Sequence, residues 1–370
     1  MTAPTAEPPS AVSTGLLLSE LGERRIVAEM LEPRYRTVPS FGDDCAQLGS
    51  DRVITTDSCG AALVCSLGET DPVHTGWLLA TINLSDLAAA GARPEGLVVN
   101  YTLPPETPAR TLSRIMDGVD ACAAAHGTRV LGGDIGEGRE MRLSATAVGV
   151  CAHGGPDGTV RRLSRRGAVA GDRLLLVGSP GHLWGAALVF HGFAEVTEDE
   201  HREMFDRACR PRAQLPAGGV LATQGLARSA IDVSDGLYAA IRSLCRANGL
   251  GALVRTDVRL DPVLERVCER AGVHPFQLAQ TWGDWCLLVA VHPDDVVRTR
   301  GLLAEVGTQA REIGELTAAT GRVLLDDGGA EPAAWDGIDQ ERFSSTSWRG
   351  VGIRGALDRM RELSGSHPSG

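Results

Sequence analysis

The sequence predicts an α/β (α+β) chain of two domains, and three observations carry that prediction. Short apolar, β-branched runs alternate with longer stretches of helical period, the pattern of helices packed on sheets. Many of those runs end in a glycine and an aspartate, where strands hand over to turns that carry ligand groups. The chain has 370 residues, 43% of them hydrophobic, enough to bury two cores. A Gly/Pro-rich turn at residues 153–158 divides the two halves. The expected organisation is a disordered segment over 1–18, an N-terminal domain over 19–155, a second α/β domain over 156–345, and an extension over 346–370.

Each element has its own signal. Met1 to Ser13 is rich in Pro, Ala, Thr and Ser and lacks periodicity, so it is expected to be disordered. Ser19 to Arg34 places Leu21, Ile26, Val27, Met30 and Leu31 on one face, an amphipathic helix that Pro33 should end. Phe41-Gly-Asp-Asp-Cys-Ala46 puts two acids after a glycine, and Arg52 to Asp57 is a β-branched strand ending in an acid. Trp77 to Ala90 is apolar nearly all round, the composition of a buried helix, yet it carries Asp86. A carboxylate out of water needs a partner cation, and no arginine or lysine lies between Arg52 and Arg93 to supply one. A bound metal ion would serve; the alternative is that Ser85 or Asp86 caps a second helix beginning at Leu87.

A strand over 96–103, a helix over 108–127 and a strand over 141–151 complete the first half, with the turn Gly132-Gly-Asp134 between the last two. In the second half Arg161 to Arg166 is a basic run, read either as a solvated face or as a phosphate contact. Arg173 to Val177 is a buried strand opening into Gly178-Ser-Pro-Gly181, a turn able to hold phosphate oxygens or simply to connect. Ile231-Asp-Val-Ser-Asp-Gly-Leu237 ends a strand in two acids and starts the helix Leu237 to Asn248, with Asp235 placed to be its N-cap. Strands over 251–255 and 285–291, helices over 261–271 and 294–306, and a short helix over 356–363 follow.

Composition removes whole classes of function. A net charge of -11 argues against a nucleic-acid partner, and no apolar run approaches the roughly 20 residues that span a bilayer. Nine cysteines without a Cys-x-x-Cys pair read as reduced thiols of a cytoplasmic protein, with no disulfide framework and no zinc site. Every Lys/Arg-class residue is an arginine. The absence of lysine excludes a P-loop, a protein-kinase strand lysine, a Schiff base and a pyridoxal phosphate anchor. Asp43, Asp44, Asp57, Asp86, Asp134, Asp232 and Asp235 all sit at strand ends or in apolar helices, and like charges cannot converge without cations. Magnesium answers that need, binding carboxylates while it bridges to nucleotide phosphates, so the pattern is that of an ATP site without lysine.

In order, Gly-Asp-Asp, Thr-Thr-Asp, Asn-Leu-Ser-Asp-Leu-Ala-Ala-x-Gly-Ala-x-Pro, Gly-Gly-Asp, Leu-x-Arg-x-Gly-Ala-x-x-Gly-Asp and Ile-Asp-x-Ser-Asp-Gly-Leu resemble the thiamine-monophosphate kinases of the aminoimidazole-ribonucleotide (AIR) synthetase-like superfamily. The resemblance runs from about Gly22 to about Phe343. It implies a two-domain AIR synthetase-like fold in which the N-terminal domain forms a dimer-spanning sheet or barrel, with ATP and several Mg2+ ions between the domains. It also implies a homodimer. The metal positions would be Asp44, Thr56, Asp57, Asp86, Asp134, Asp232 and Asp235, with Asp57, Asp86 and Asp235 as the catalytic acids. Nucleotide positions would be Gly133, Asp134, Arg165 and Ser234.

The departures all fall on the substrate side. The family's histidine seven residues after the strand acid is Val64 here, and its substrate glutamate is Gly283 within Thr281-Trp-Gly-Asp-Trp-Cys-Leu287. An aromatic of the family's C-terminal pattern is Ile338. Trp282 and Trp285 are added to the pocket, either to stack on a flat group or as plain core. The expected activity is ATP- and Mg2+-dependent phosphoryl transfer to a small molecule other than thiamine monophosphate. The alternatives are an ATP-dependent ligase or cyclase that O-phosphorylates an amide or carboxylate, and a true thiamine-monophosphate kinase with a rewired pocket.

Overall fold

The computed structural model describes residues 15–154, 158–329, 331–335, 343 and 348–364. Ile338 and most of the segment expected to be disordered lie outside them. Helix α1 (Leu18–Ile26) runs through a π turn, Val27–Leu31, into α2 (Glu32–Tyr35). Pro33 therefore does not end the helix; it sits in the first turn of α2, where a missing N–H is tolerated.

The first sheet comprises β1 (Ala46–Leu48), β2 (Arg52–Cys59), β3 (Ala92–Leu103), β4 (Val130–Glu137) and β5 (Arg142–Cys151), in the order β1-β2-β5-β3-β4. Between its strands come α3 (Val73–Ala89) and α4 (Ala109–Ala125). Alternation along β5 turns Leu143, Ala145 and Ala147 inward onto the helices. The other face stays open: Val98 and Leu131 are exposed there, and among the described residues the sheet does not close into a barrel.

A short hairpin, β6 (His153–Gly154) and β7 (Thr159–Val160), leads to the second half. There β8 (Arg173–Val177) is followed by α5 (His182–Phe190), α6 (Glu198–Cys209) and α7 (Leu215–Thr223), then β9 (Ala227–Asp232) and α8 (Leu237–Asn248). Next come β10 (Gly251–Arg255), α9 (Pro262–Ala271), α10 (Pro275–Ala279), β11 (Leu287–Val291) and α11 (Val296–Glu305). The last elements are β12 (Ala310–Thr317), β13 (Val323–Asp326), β14 (Ala333–Ala334) and α12 (Trp348–Ser364). The seven-stranded sheet has the order β14-β13-β10-β12-β8-β11-β9. Both of its faces are covered. Along β8, Leu174 and Leu176 enter a core with α5, α8 and α9, while Leu175 and Val177 enter the core that α3 and α7 share with the first sheet.

Helix α3 is thus the shared wall of the molecule. A Cβ at Gly118 would lie 2.0 Å from the Val73 carbonyl oxygen, and one at Gly218 would lie 2.1 Å from that of Ala88, so α4 and α7 reach α3 only through glycine. The helix is continuous from Val73 to Ala89, which removes the alternative of a cap at Ser85 or Asp86. Among the described residues no helix is long and apolar enough to cross a membrane.

Candidate active site

Four segments that are distant in sequence meet at Asp86. The turn before β1 brings Asp44, β2 brings Thr55 and Asp57, α3 brings Asp86 itself, and the end of β9 brings Asp232. Asp44, Asp86 and Asp232 each offer a carboxylate oxygen to one group in which all lie within 4.8 Å. Thr55 Oγ1 donates to Asp86 at 2.5 Å, and the Asp57 N–H donates to Asn83 Oδ1 at 3.0 Å. Ser85 and Ser234 donate to the two oxygens of Asp232, at 3.1 and 3.0 Å. These bonds aim the oxygens. They do not neutralise them, and among the described residues neither Asp86 nor Asp232 forms an ion pair.

Arg165 is the cation nearest the group, paired with Asp44. Burial, then the charge of Asp232 and of Asp44, drives the Asp86 carboxyl well above its ordinary value. Burial and then Asp44 push Asp232 up to about 7, against the pull of Arg165. Asp44, Asp86 and Asp232 together form an all-oxygen donor set, the chemistry that fits Mg2+.

Within the basic run, two arginines are tied to an acid while Arg165 lines a cavity. Arg162 and Arg166 approach Asp43 at 3.4 and 3.5 Å, and Ser164 Oγ donates to it at 2.9 Å. Asp43 is therefore held by the second half of the chain and is not part of the carboxylate group. A cavity of about 440 Å³ opens beside this junction, lined by Phe41, Gly42, Arg165, Arg166, Asp235 and Arg246 among others. Asp235 faces that cavity; the N-cap of α8 is Gly236, not Asp235.

Three of the expected positions lie elsewhere. Gly133 and Asp134 are exposed on the edge strand β4, where Asp134 is in register with Asn100, and the structure does not bring them to the carboxylates. The Thr56 hydroxyl points to the opposite face of β2 from Asp86 and donates to the Ala145 carbonyl at 3.0 Å. The side chain that reaches Asp86 is Thr55. Strand alternation could have shown it, because Val53, Thr55 and Asp57 share a face. Asn83, one helical turn before Asp86, was likewise readable from its i, i+3 spacing.

The opposite end is apolar. Val64 lies in the 3₁₀ turn Leu63–Leu67, and with Trp282, Gly283 and Trp285 it lines a small cavity of about 30 Å³. Trp282 meets Trp184 edge to face at 5.7 Å. Gly283 has φ +109, and a Cβ there would lie 2.2 Å from Leu183 Cδ2, so Leu183 fills the space that any side chain at 283 would need. No sequence signal marked Leu183. Asp284 accepts the N–H groups of Gly181 and His182 at 2.7 and 3.0 Å. The Gly178–Gly181 turn is therefore a connection whose helix terminus already holds an anion, the Asp284 carboxylate.

Two family models match this architecture: AIR synthase related protein, N-terminal domain, over residues 42–151, and AIR synthase related protein, C-terminal domain, over residues 169–326. The chain belongs to the AIR synthase-related family. Within that family it resembles curated thiamine-monophosphate kinases. That of Mycobacterium tuberculosis is 30% identical over 322 residues, spanning 84% of this chain and 89% of the relative. That of Synechococcus elongatus is 29% identical over 320 residues, spanning 81% and 90%. The solved complex of AaThiL with AMPPCP and TMP aligns with a TM-score of 0.71 at 25% identity, covering 87% of this chain and 99% of that one. The AIR synthase-related chain is thus a thiamine-monophosphate kinase-like protein over nearly its whole described length.

Proposed function

We propose that this protein is an ATP- and Mg2+-dependent phosphotransferase that acts on a small metabolite other than thiamine monophosphate. The observation that carries the reading is the buried group Asp44, Asp86 and Asp232, set beside a cavity lined by Arg165 and Asp235. Those three acids would hold Mg2+, with Asp57 next to them and Asp235 on the cavity wall. Bound there, the ion would neutralise phosphate charge and stabilise its transfer. The protein's own groups do the rest. Thr55, Ser85 and Ser234 fix the carboxylate rotamers, Arg165 offers a guanidinium to a phosphate oxygen, and the apolar wall around Val64 and Trp285 keeps water from the acceptor side. This division of labour keeps the residues 19–155 and 156–345 as two cooperating domains.

Assembly follows from the open sheet. Exposed Val98 and Leu131, together with the free edge of β4, support a homodimer in which a second copy covers that face. Light scattering at micromolar concentration should give twice the chain mass of 38.9 kDa.

The substrate reading rests on Val64 and Gly283. A site that loses two polar contacts to its substrate loses roughly 1–3 kcal/mol for each, or on the order of 10²–10⁴ in transition-state binding. A coupled assay beside an authentic thiamine-monophosphate kinase should show thiamine monophosphate turned over at least about 100-fold more slowly here. Turnover within about tenfold of that control overturns the substrate reading, while ATP binding that ignores Mg2+ overturns the phosphotransferase reading itself.

A further inference from the structure

A second constellation of ligand groups lies at the apolar end, away from the carboxylates. Glu69 follows the 3₁₀ turn, His74 stands in the first turn of α3, and Cys209 is the last residue of α6. One ligand atom from each lies within 4.8 Å of the others. The histidine is unsatisfied. Its Nδ1 is buried without a hydrogen-bond partner, and its Nε2 is 3.9 Å from Glu69 Oε2, too far for a hydrogen bond. A buried ring nitrogen left unpaired costs free energy, and the His74 side chain is only 12% exposed. Cys209 is buried at 6%, while Glu69 keeps 39% of its side chain open to solvent, which supplies an entry path.

We propose that Glu69, His74 and Cys209 form a binding site for a zinc-class divalent cation. Sulfur, imidazole and carboxylate together are the donor set of zinc, whereas the all-oxygen group at Asp86 suits magnesium, so the two sites divide two metals by ligand chemistry. Three protein ligands leave a fourth tetrahedral position open to water or to a ligand. His74 and Cys209 also line the small cavity shared with Val64, Trp282 and Gly283, so the ion sits in the wall of the substrate end. It clips the turn before α3 to the end of α6, joining the two halves of the chain there. No local spacing shows this site: the three ligands come from segments up to 140 residues apart, and the absence of Cys-x-x-Cys pairs concealed it.

The test uses the full chain, stripped with chelator and titrated with Zn2+ and Co2+ in excess Mg2+. The expected result is one zinc per chain and a cobalt spectrum with a thiolate-to-cobalt charge-transfer band. Cys209→Ser should abolish that band, and His74→Ala should weaken zinc binding by at least about 100-fold, the upper end of what losing even an outer partner costs. Glu69→Gln, at a partly exposed position, should weaken it at least about tenfold and decides the matter if the buried variants fail to fold. Zinc held equally well by Glu69→Gln and His74→Ala, or a cobalt complex without the thiolate band, overturns the proposal. Both outcomes are independent of whether ATP is turned over.

Discussion

Two sets of buried acids in this chain are treated in opposite ways. Asp261 is met by Arg207 at 3.1 Å, Arg311 at 3.0 Å and His182 at 3.4 Å, and the His182 contact above all, then the arginine charges, hold its carboxyl down at about 2. Glu200 receives Arg266 at 2.6 Å and Arg270 at 2.7 Å, and Arg270 chiefly, with the Thr197 N–H and Arg266, likewise holds it at about 2. Asp86 and Asp232 go the other way, Asp86 pushed up by burial and then by Asp232, and Asp232 by burial and then by Asp44. Burial of an acid therefore does not mark a metal site. What marks it is burial without enough arginine, because only those acids require a cation from outside the chain.

The widest separation should come from one isosteric change made at both places. Asp86→Asn is expected to lower kcat by on the order of 10³ while raising the stability of the metal-free chain, since it removes one of three like charges. Asp261→Asn is expected to leave turnover of the folded fraction within about threefold and to cost about 2 kcal/mol, a figure discounted because Arg207 is half exposed. Urea melts in chelator, paired with an ATP-consumption assay, read both quantities. Destabilisation of the metal-free chain by Asp86→Asn would falsify the account of the carboxylate group.

A smaller and more specific difference lies in the direction of pH dependence. Asp232 has a folded value of about 7 against an ordinary 3.8, so the folded metal-free chain binds more protons than the unfolded chain, and its stability falls as pH rises between those values. Asp261 has a depressed value, so its contribution is complete above 3.8 and is lost as pH falls toward about 2. Melting in chelator should therefore decline from pH 5 to pH 8, saturating Mg2+ should abolish that decline, and the acid-side loss should persist with or without the ion. A decline untouched by Mg2+ would assign the penalty to some other group.

How far all this was legible depends on what kind of interaction fixes each feature. The buried helix around Asp86, the strand Gly251–Arg255 and the helix Leu237–Asn248 follow from local period and were readable directly. Helix α6 and strands β12 and β13 were not read. The first is a mostly charged amphipathic helix started by the capping box Thr197/Glu200, and the strands are held by register with β8 and β10 instead of by strong alternation of their own. At the site, Asp44 and Asp232 are legible from residue type and turn context, and Asp86 as an acid inside an apolar helix. The pairing that removes Asp43 from that group is not legible, because its contacts with Arg162 and Arg166 span more than a hundred residues. Leu183 against Gly283 is invisible for the same reason.

The finest test concerns neighbours on one strand. Thr55 and Thr56 differ by one residue and therefore by a whole face of β2, so only Thr55 can steady the Asp86 carboxylate. A hydrogen bond to a charged acceptor is worth roughly 1.5–3 kcal/mol, and some of that is spent holding the carboxylate where an ion must find it. Thr55→Val keeps the volume and removes the donor, so kcat/KM should fall about tenfold and the Mg2+ needed for half-maximal rate should rise. Thr56→Val loses a bond to the Ala145 carbonyl, which belongs to the sheet, and should change kcat/KM by less than about threefold while lowering stability by about 1 kcal/mol. Because both substitutions are Thr→Val in the same strand, β-propensity and side-chain size cancel between them. If Thr56→Val proved the more damaging to Mg2+-dependent turnover, the face of β2 assigned to the metal would have to be reversed, and with it the separation of the cation-requiring acids from the rest of the sheet.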